Sequence, residues 1–354
     1  MTDANCTILH IVPHDVPRAG EISAILPDLL DALPAHGLHA PCATFATPDP
    51  QLRRLIADAD AVHIHTLFSP IAHKTAALAL AAGKPYVLSP YAALADNPHQ
   101  KLSFRSKLRL RFSLAKTLRA AARLVALDDH EADYLRTIGY ANTAVARPAV
   151  NCDHYAKNID TNDLVKQLPI LADRRLLLYL GPIAHPTEGL APMLKAAAQL
   201  ADDVPDWHVV LAGCLRGHVR TLLEAALRRQ RMTDRVTLIE NPDLDTQKRL
   251  LARAELLACP LLRDAAPVAV GQALAAGLPV VASQTLHLPQ IADADAGRVV
   301  RPDRRSLLVA FEELLHASPE TLSAMGARAR ALALDLFHVK QTVPRFVEIY
   351  RSIQ

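Results

Sequence analysis

Aromatic residues make up only 4% of this 354-residue chain, with one Trp, seven Tyr and seven Phe. Single-stranded nucleic acids are gripped by stacked aromatics, so this scarcity argues against such a partner. Glycine is sparse as well, at 12 against 25 prolines. With 51% hydrophobic and 21% charged residues, collagen, coiled coil and disorder are excluded. No apolar run approaches the ~18 residues needed to cross a bilayer. The five cysteines (Cys6, Cys42, Cys152, Cys214 and Cys259) are odd in number, scattered, and form no C-x-x-C pair. They suggest neither a zinc site nor a disulfide framework. The 16 histidines lack H-E-x-x-H spacing, so no metal is expected. Lys plus Arg exceed Asp plus Glu by three, too little to imply nucleic-acid binding. Met1 to Cys6 is polar, with no charged region leading into an apolar one. The expectation is a chain without a signal peptide, its thiols free in a cytoplasm.

What is present is alternation. The length fits roughly two domains of ~150 residues. Thr7–Val12, Ala61–His65, Pro85–Leu88 and Leu124–Leu127 read as strands. Between and after them, Ser23–Ala35, Lys101–Ala121 and Asp129–Ile138 read as helices. Asn151 to Asp173 is polar and aperiodic, and reads as a linker or domain boundary. The pattern then restarts: strands Leu176–Leu180, His208–Ala212, Val236–Ile239, Leu256–Cys259 and Val280–Ala282 alternate with four helical stretches. A final helix covers Val339–Ser352. This predicts an α/β protein with two doubly wound parallel sheets. Ligands of such sheets bind at the carboxyl ends of the strands.

Six segments stand where chemistry would sit, each with a plainer structural alternative. Pro17 to Glu21 is a small-residue turn before a helix, able to hold an anion or simply to turn the chain. His63 and His65 share one face of a strand and end at its carboxyl edge, either as site residues or as satisfied buried histidines. Tyr91, after Leu88-Ser89-Pro90, offers a hydroxyl to a ligand or closes the core edge. From Lys101 to Arg123 there are eight basic residues, no acid, and interleaved leucines. Such a helix suits an anionic membrane surface or an anionic acceptor, or is a solvated face. Gly181 to Gly189 follows a strand and opens a helix, a phosphate-type position, but Pro182 lacks a donor and Glu188 adds negative charge. Asp264 and Gln272, eight residues apart, can bond sugar or ribose hydroxyls or cap a loop.

Together these segments resemble glycosyltransferase family 4, the group 1 glycosyltransferases of GT-B fold, over nearly the whole chain. Cys259 through Ser283 is similar to the family's E-x7-E element and the E-A-x-A-x-G-x-P-V-V-A-S run. Ala61 to His65, Pro85 to Pro90, Glu131 and Gly297 to Asp303 fall where the family keeps similar residues. The resemblance implies two facing Rossmann-like domains: an acceptor domain at 1–160, a donor domain at 161–336, and a helix at 337–354 returning to the first. It implies a retaining, metal-independent transfer of a sugar from a nucleotide-sugar of UDP or GDP type, used as co-substrate. The implied acceptor is a polysaccharide or lipid-linked glycan, reached from the cytoplasm and its membrane face. No other cofactor is implied.

The resemblance also assigns residues. Tyr91 and Asp264 stand at catalytic positions. Gly20, Arg147, Gly181, His185, Glu188, Gly213, Arg263, Asp264, Val268 and Gln272 stand on the donor side. His65 and Tyr91 stand on the acceptor side. The departures fall on the chemistry. Gly-Gly has become Gly20-Glu21, and His-Gly has become Tyr91-Ala92. The diphosphate-binding Arg and Lys align with Pro182 and Glu188. The two glutamates are Asp264 and Gln272, and a donor-facing glycine is Pro267. Removing one oxyanion donor costs ~2.7–4 kcal/mol, so a cation from elsewhere is needed. Arg147, His185, Arg216 and Arg263 are the candidates. The alternative is a catalytically inactive GT-B homologue serving as a binding or scaffold partner.

Overall fold

The computed structural model describes residues 6–12, 21–24, 26–92, 94, 114–155, 159–183, 188–215 and 219–354. The chain divides into two compact units. The first comprises Met1–Val16, Leu26–Ala149 and Val339–Gln354; the second comprises Pro17–Ile25 and Val150–His338. The expected boundary at 160 therefore sits beside an observed one at 149/150.

The first unit carries β1 (Cys6–Val12), β2 (Leu38–His39), β3 (Cys42–Thr44), β4 (Ala61–Ile64), β5 (Tyr86–Leu88), β6 (Arg123–Ala126) and β7 (Thr143–Val145). Their order is β2-β1-β4-β5-β6-β7, with β3 also on β1. Every pairing is parallel. Parallel strands need covering on both faces, which is why β4 and β5 are buried at every position. On one face Leu9, Ile11, Val62, Ile64 and Leu88 pack together. On the other, Ile8, Ala61, Val87 and Val125 pack with Val343, Phe346 and Tyr350 of the terminal helix Val339–Arg351.

The expected helix Ser23–Ala35 is three short pieces: a 3-10 turn Ile22–Ala24, the helix Leu26–Ala32, and a 3-10 turn Leu33–His36. Gly37, at φ +76°, stops it. Only the last turns of the expected helix Lys101–Ala121 are described. Residues 101–113 lie outside the described residues, 114–120 are helical, and Arg123 begins β6. Thr117 and Leu118 are buried while Lys116 and Arg119 face outward.

The second unit carries β8 (Arg175–Leu180), β9 (Trp207–Gly213), β10 (Val236–Glu240), β11 (Leu256–Cys259), β12 (Val280–Ser283) and β13 (Gly297–Val300). All are parallel, in the order β10-β9-β8-β11-β12-β13. Alternate residues of β8 face opposite cores: Leu176, Leu178 and Leu180 on one side, Leu177 and Tyr179 on the other. The stretch expected as a linker is part of this unit. Cys152, Tyr155, Leu164 and Leu171 are buried in its core, anchored by Arg330, which donates to the carbonyls of Cys152, Tyr155 and Ala275.

Each sheet has one point where chain order reverses. In the first it lies between β1 and β4; in the second, between β8 and β11. The loops leaving adjacent strands diverge there, opening the crevice in which doubly wound sheets hold ligands.

Candidate functional site

At the reversal point of the first sheet, parallel register sets His10 of β1 beside His63 of β4. His65 follows two residues on, hence on the same face. All three are buried. They form two hydrogen-bond chains. In one, Tyr91 Oη lies 2.6 Å from His65 Nδ1, and His65 Nε2 lies 2.8 Å from His10 Nδ1. In the other, Tyr350 Oη lies 2.7 Å from His63 Nδ1, and His63 Nε2 lies 2.8 Å from Ser89 Oγ. Burial lowers the His10 pKa to about 3. It also holds His63 and His65 well below the usual imidazole range, with help from neighbouring imidazoles. The three are therefore neutral near pH 7. Burial pushes the Tyr91 hydroxyl up.

Tyr91 and Ala92 adopt left-handed backbone, at φ 54° and 60°. Such residues persist only when their surroundings fix them. Here Glu131 does so, its carboxylate accepting from the N–H of Ala92 at 2.7 Å and of Leu127 at 2.8 Å. Asp128 caps the helix Asp129–Thr137 and so places Glu131 on its first turn.

At the reversal point of the second sheet the loops after β8 and β11 meet. A Cβ on Gly213 would stand 1.6 Å from the Gly181 carbonyl oxygen, and one on Gly189 would stand 1.8 Å from that of Pro260. Backbone packs directly on backbone, which only glycine permits. Tyr179 donates to the Pro182 carbonyl at 2.6 Å. Burial is the main reason its hydroxyl sits far above the usual range; the Glu188 carboxylate raises it further and the Arg263 guanidinium opposes this. Glu188 is buried and Arg263 half-buried. Asp264 Oδ1 lies 3.2 Å from His287 Nε2. His287 itself is in left-handed backbone at φ 50°.

The sequence-expected residues therefore sort by unit. His65 and Tyr91 are joined in the first. Gly181, Glu188, Gly213, Arg263 and Asp264 gather at the loops of the second. Arg147 follows β7 in the first unit and is half-buried. Gly20 and His185 lie outside the described residues, as does Arg216. Val268 begins the helix Val268–Ala275, and its N–H is committed to the Ala266 carbonyl at 2.9 Å. Gln272 is fully buried and donates to Tyr155 Oη at 2.9 Å, while its own Oε1 is buried without a partner among the described residues. His10, Tyr350, Tyr155, Tyr179 and His287 escaped sequence reasoning. A histidine inside Thr7-Ile8-Leu9-His10-Ile11-Val12 was the one available signal, since a polar residue in a fully apolar strand needs partners.

Comparison with known proteins adds three findings. Residues 174–317 match the family model described as glycosyl transferases group 1, and residues 11–148 match the glycosyl transferase 4-like domain. Over 105 residues the chain is 31% identical to an MMP alpha-(1->4)-mannosyltransferase of Mycolicibacterium hassiacum. That match spans 29% of this chain and 26% of the relative's length. Among solved structures, Anabaena HepE in complex with UDP-glucose is similar at TM-score 0.78 and 17% identity, over 98% of this chain and 99% of that one. Sucrose-phosphate synthase of Thermosynechococcus elongatus is similar at TM-score 0.76 and 18% identity, over 98% and 99%. Likeness at this identity establishes the GT-B fold.

Proposed function

The chain belongs to the group 1 glycosyltransferases, and on that premise we propose that it moves a sugar from a UDP- or GDP-sugar to a polysaccharide or lipid-linked acceptor. The observation that carries this reading is the meeting of the β8 and β11 loops at the reversal point of the second sheet, Gly189 packed on Pro260 with Arg263 and Glu188 both near Tyr179. Loops at such a point offer backbone N–H groups to an anion. Anabaena HepE, similar in fold, is known in complex with UDP and glucose.

In this reading transfer proceeds with retention of configuration and without a metal at the diphosphate. Arg263 supplies the positive charge that Pro182 and Glu188 withhold. It stabilises negative charge as the sugar–phosphate bond breaks. Asp264, oriented by His287, accepts a hydrogen bond from a sugar hydroxyl. Tyr91, oriented by His65, presents a hydroxyl on the acceptor side. The basic run from Lys101 to Arg123 favours peripheral contact with an anionic membrane at the cytoplasmic face. Among the described residues no helix is long and apolar enough to cross a membrane.

A second reading has its own support. Glu188 is buried at the loop, Pro182 and Pro267 lack an N–H, and that of Val268 is engaged. These features favour a non-catalytic homologue that binds a partner. Calorimetric titration with UDP, GDP and their sugars, with and without EDTA, separates the two. Micromolar binding that survives EDTA and is lost in Arg263→Ala supports the transferase. No binding at millimolar nucleotide supports the scaffold. Anionic vesicle binding should weaken with salt if the basic run touches membrane.

A further inference from the structure

We propose that His10, His63 and His65 form a binding site for a divalent transition metal of the zinc type at the reversal point of the first sheet. The arrangement is one His-x-His on β4 and one His at the paired position of neighbouring β1. Strand geometry turns residues i and i+2 to one face, and register adds the third from the side. One ligand nitrogen from each ring lies within 4.8 Å of those of the other two. His10 Nδ1 and His65 Nε2 are 2.8 Å apart. Zinc–nitrogen bonds of ~2.0–2.1 Å in a tetrahedron place neighbouring ligands about 3.3 Å apart, so this pair opens by only a few tenths of an ångström.

The protonation pattern fits as well. Metal-bound imidazoles use one nitrogen as ligand and donate the other N–H to an outer partner. His65 has Tyr91 Oη against Nδ1, and His63 has Tyr350 Oη against Nδ1. Both rings can donate there and keep Nε2 for the metal. The Nε2 of His63 faces Ser89 Oγ, which it releases on ligation. His10 completes the set. It departs from the other two rings: its Nδ1 is tied to His65, and its Nε2 has no outer acceptor among the described residues. On binding, the proton shared by His10 and His65 resides on His10 Nε2, and both facing nitrogens become ligands. Three neutral rings enter and three neutral rings ligate, so no net proton leaves. Three protein ligands leave one position of a tetrahedron to be filled by another group. This site is independent of what the second unit binds.

The test uses the full chain without a histidine tag, stripped by chelator. Co2+ titration followed by visible absorption should give the bands of a tetrahedral nitrogen site, saturating at one equivalent. Zn2+ should displace it, with calorimetry giving the affinity. That affinity should fall about 10–100-fold in Tyr91→Phe, which removes an outer partner. It should fall further in His10→Gln and His65→Gln. The exposed His36→Gln and His39→Gln should leave it unchanged. Absence of the Co2+ bands in the parent chain overturns the proposal, as does a Zn2+ affinity indifferent to His10→Gln and His65→Gln. If circular dichroism shows either glutamine variant unfolded, Tyr91→Phe decides: unchanged affinity overturns the site.

Discussion

The two reversal points solve one problem in opposite ways. In the first sheet the crevice floor is built from side chains: three imidazoles, two phenols and a serine, joined by directional hydrogen bonds. In the second it is built from main chain, Gly189 against Pro260 between the β8 and β11 loops, with Gly213 of β9 packed on Gly181 beside it. Side-chain networks fix hydrogen-bonding chemistry and tolerate small changes in backbone. Backbone contacts bring N–H and carbonyl groups to a ligand but tolerate no added atom. The family's acceptor and donor duties, on the proposed reading, map onto these two constructions.

The two constructions differ most at glycine. Gly213→Ala puts a Cβ 1.6 Å from a carbonyl oxygen, so the β8 and β9 ends must part. The expected loss is about 3 kcal/mol or more in urea unfolding. Gly83→Ala, in the first unit, meets nothing within 4 Å and carries only the strain of φ +67°. Its expected cost is about 1 kcal/mol. Equal costs would erase the distinction between the two units.

Glu131→Gln attacks the side-chain construction from its support. The carboxylate holds two N–H groups, and hydrogen bonds to charged partners are worth ~1.5–3 kcal/mol each. Since an amide oxygen still accepts one of them, a loss of about 2 kcal/mol is expected by urea unfolding. A loss of nucleotide binding without loss of stability would place Glu131 outside this supporting role.

His208 is a buried imidazole of the second sheet, bonded to one hydroxyl, Thr237 Oγ1 at 2.8 Å. Burial, then Arg174 and Arg235, lower its pKa to about 4. The unfolded state binds the proton more readily, near the ordinary 6.5. Its contribution to stability is therefore complete above pH 6.5 and declines as pH falls toward 4. Urea midpoints of parent and His208→Gln should converge over that window. Parallel curves would show that His208 does not titrate this way. The smallest effect is expected at Phe45, 71% exposed. Phe45→Ser should alter stability by under about 0.5 kcal/mol.

Much of the fold was legible because parallel strands covered on both faces must be apolar throughout. Leu176–Leu180 and Leu256–Cys259 could scarcely be anything else. The polar stretch after Asn151 marks a boundary, as expected, but is no linker, for the converse reason. Cys152, Tyr155, Leu164 and Leu171 are spaced irregularly yet all four are buried in the core, while Ile170 between them faces outward. Gln272 shows the same limit. Sequence places it one position in a family motif, but only the fold gives it the Tyr155 hydroxyl as partner.

By itself the sequence determined the alternation of strand and helix, the parallel sheets, the family, and the substitutions at Pro182, Glu188, Pro267 and Gln272. Those follow from local periodicity and from residue identity at fixed spacing. Tertiary structure alone decided that His10, 55 residues from His65, would be its hydrogen-bond partner, and that Tyr350 would reach back 287 residues to His63. It alone decided that Gly213 must be glycine. Such contacts depend on strand order and register, which close over long loops and leave no periodic trace along the chain.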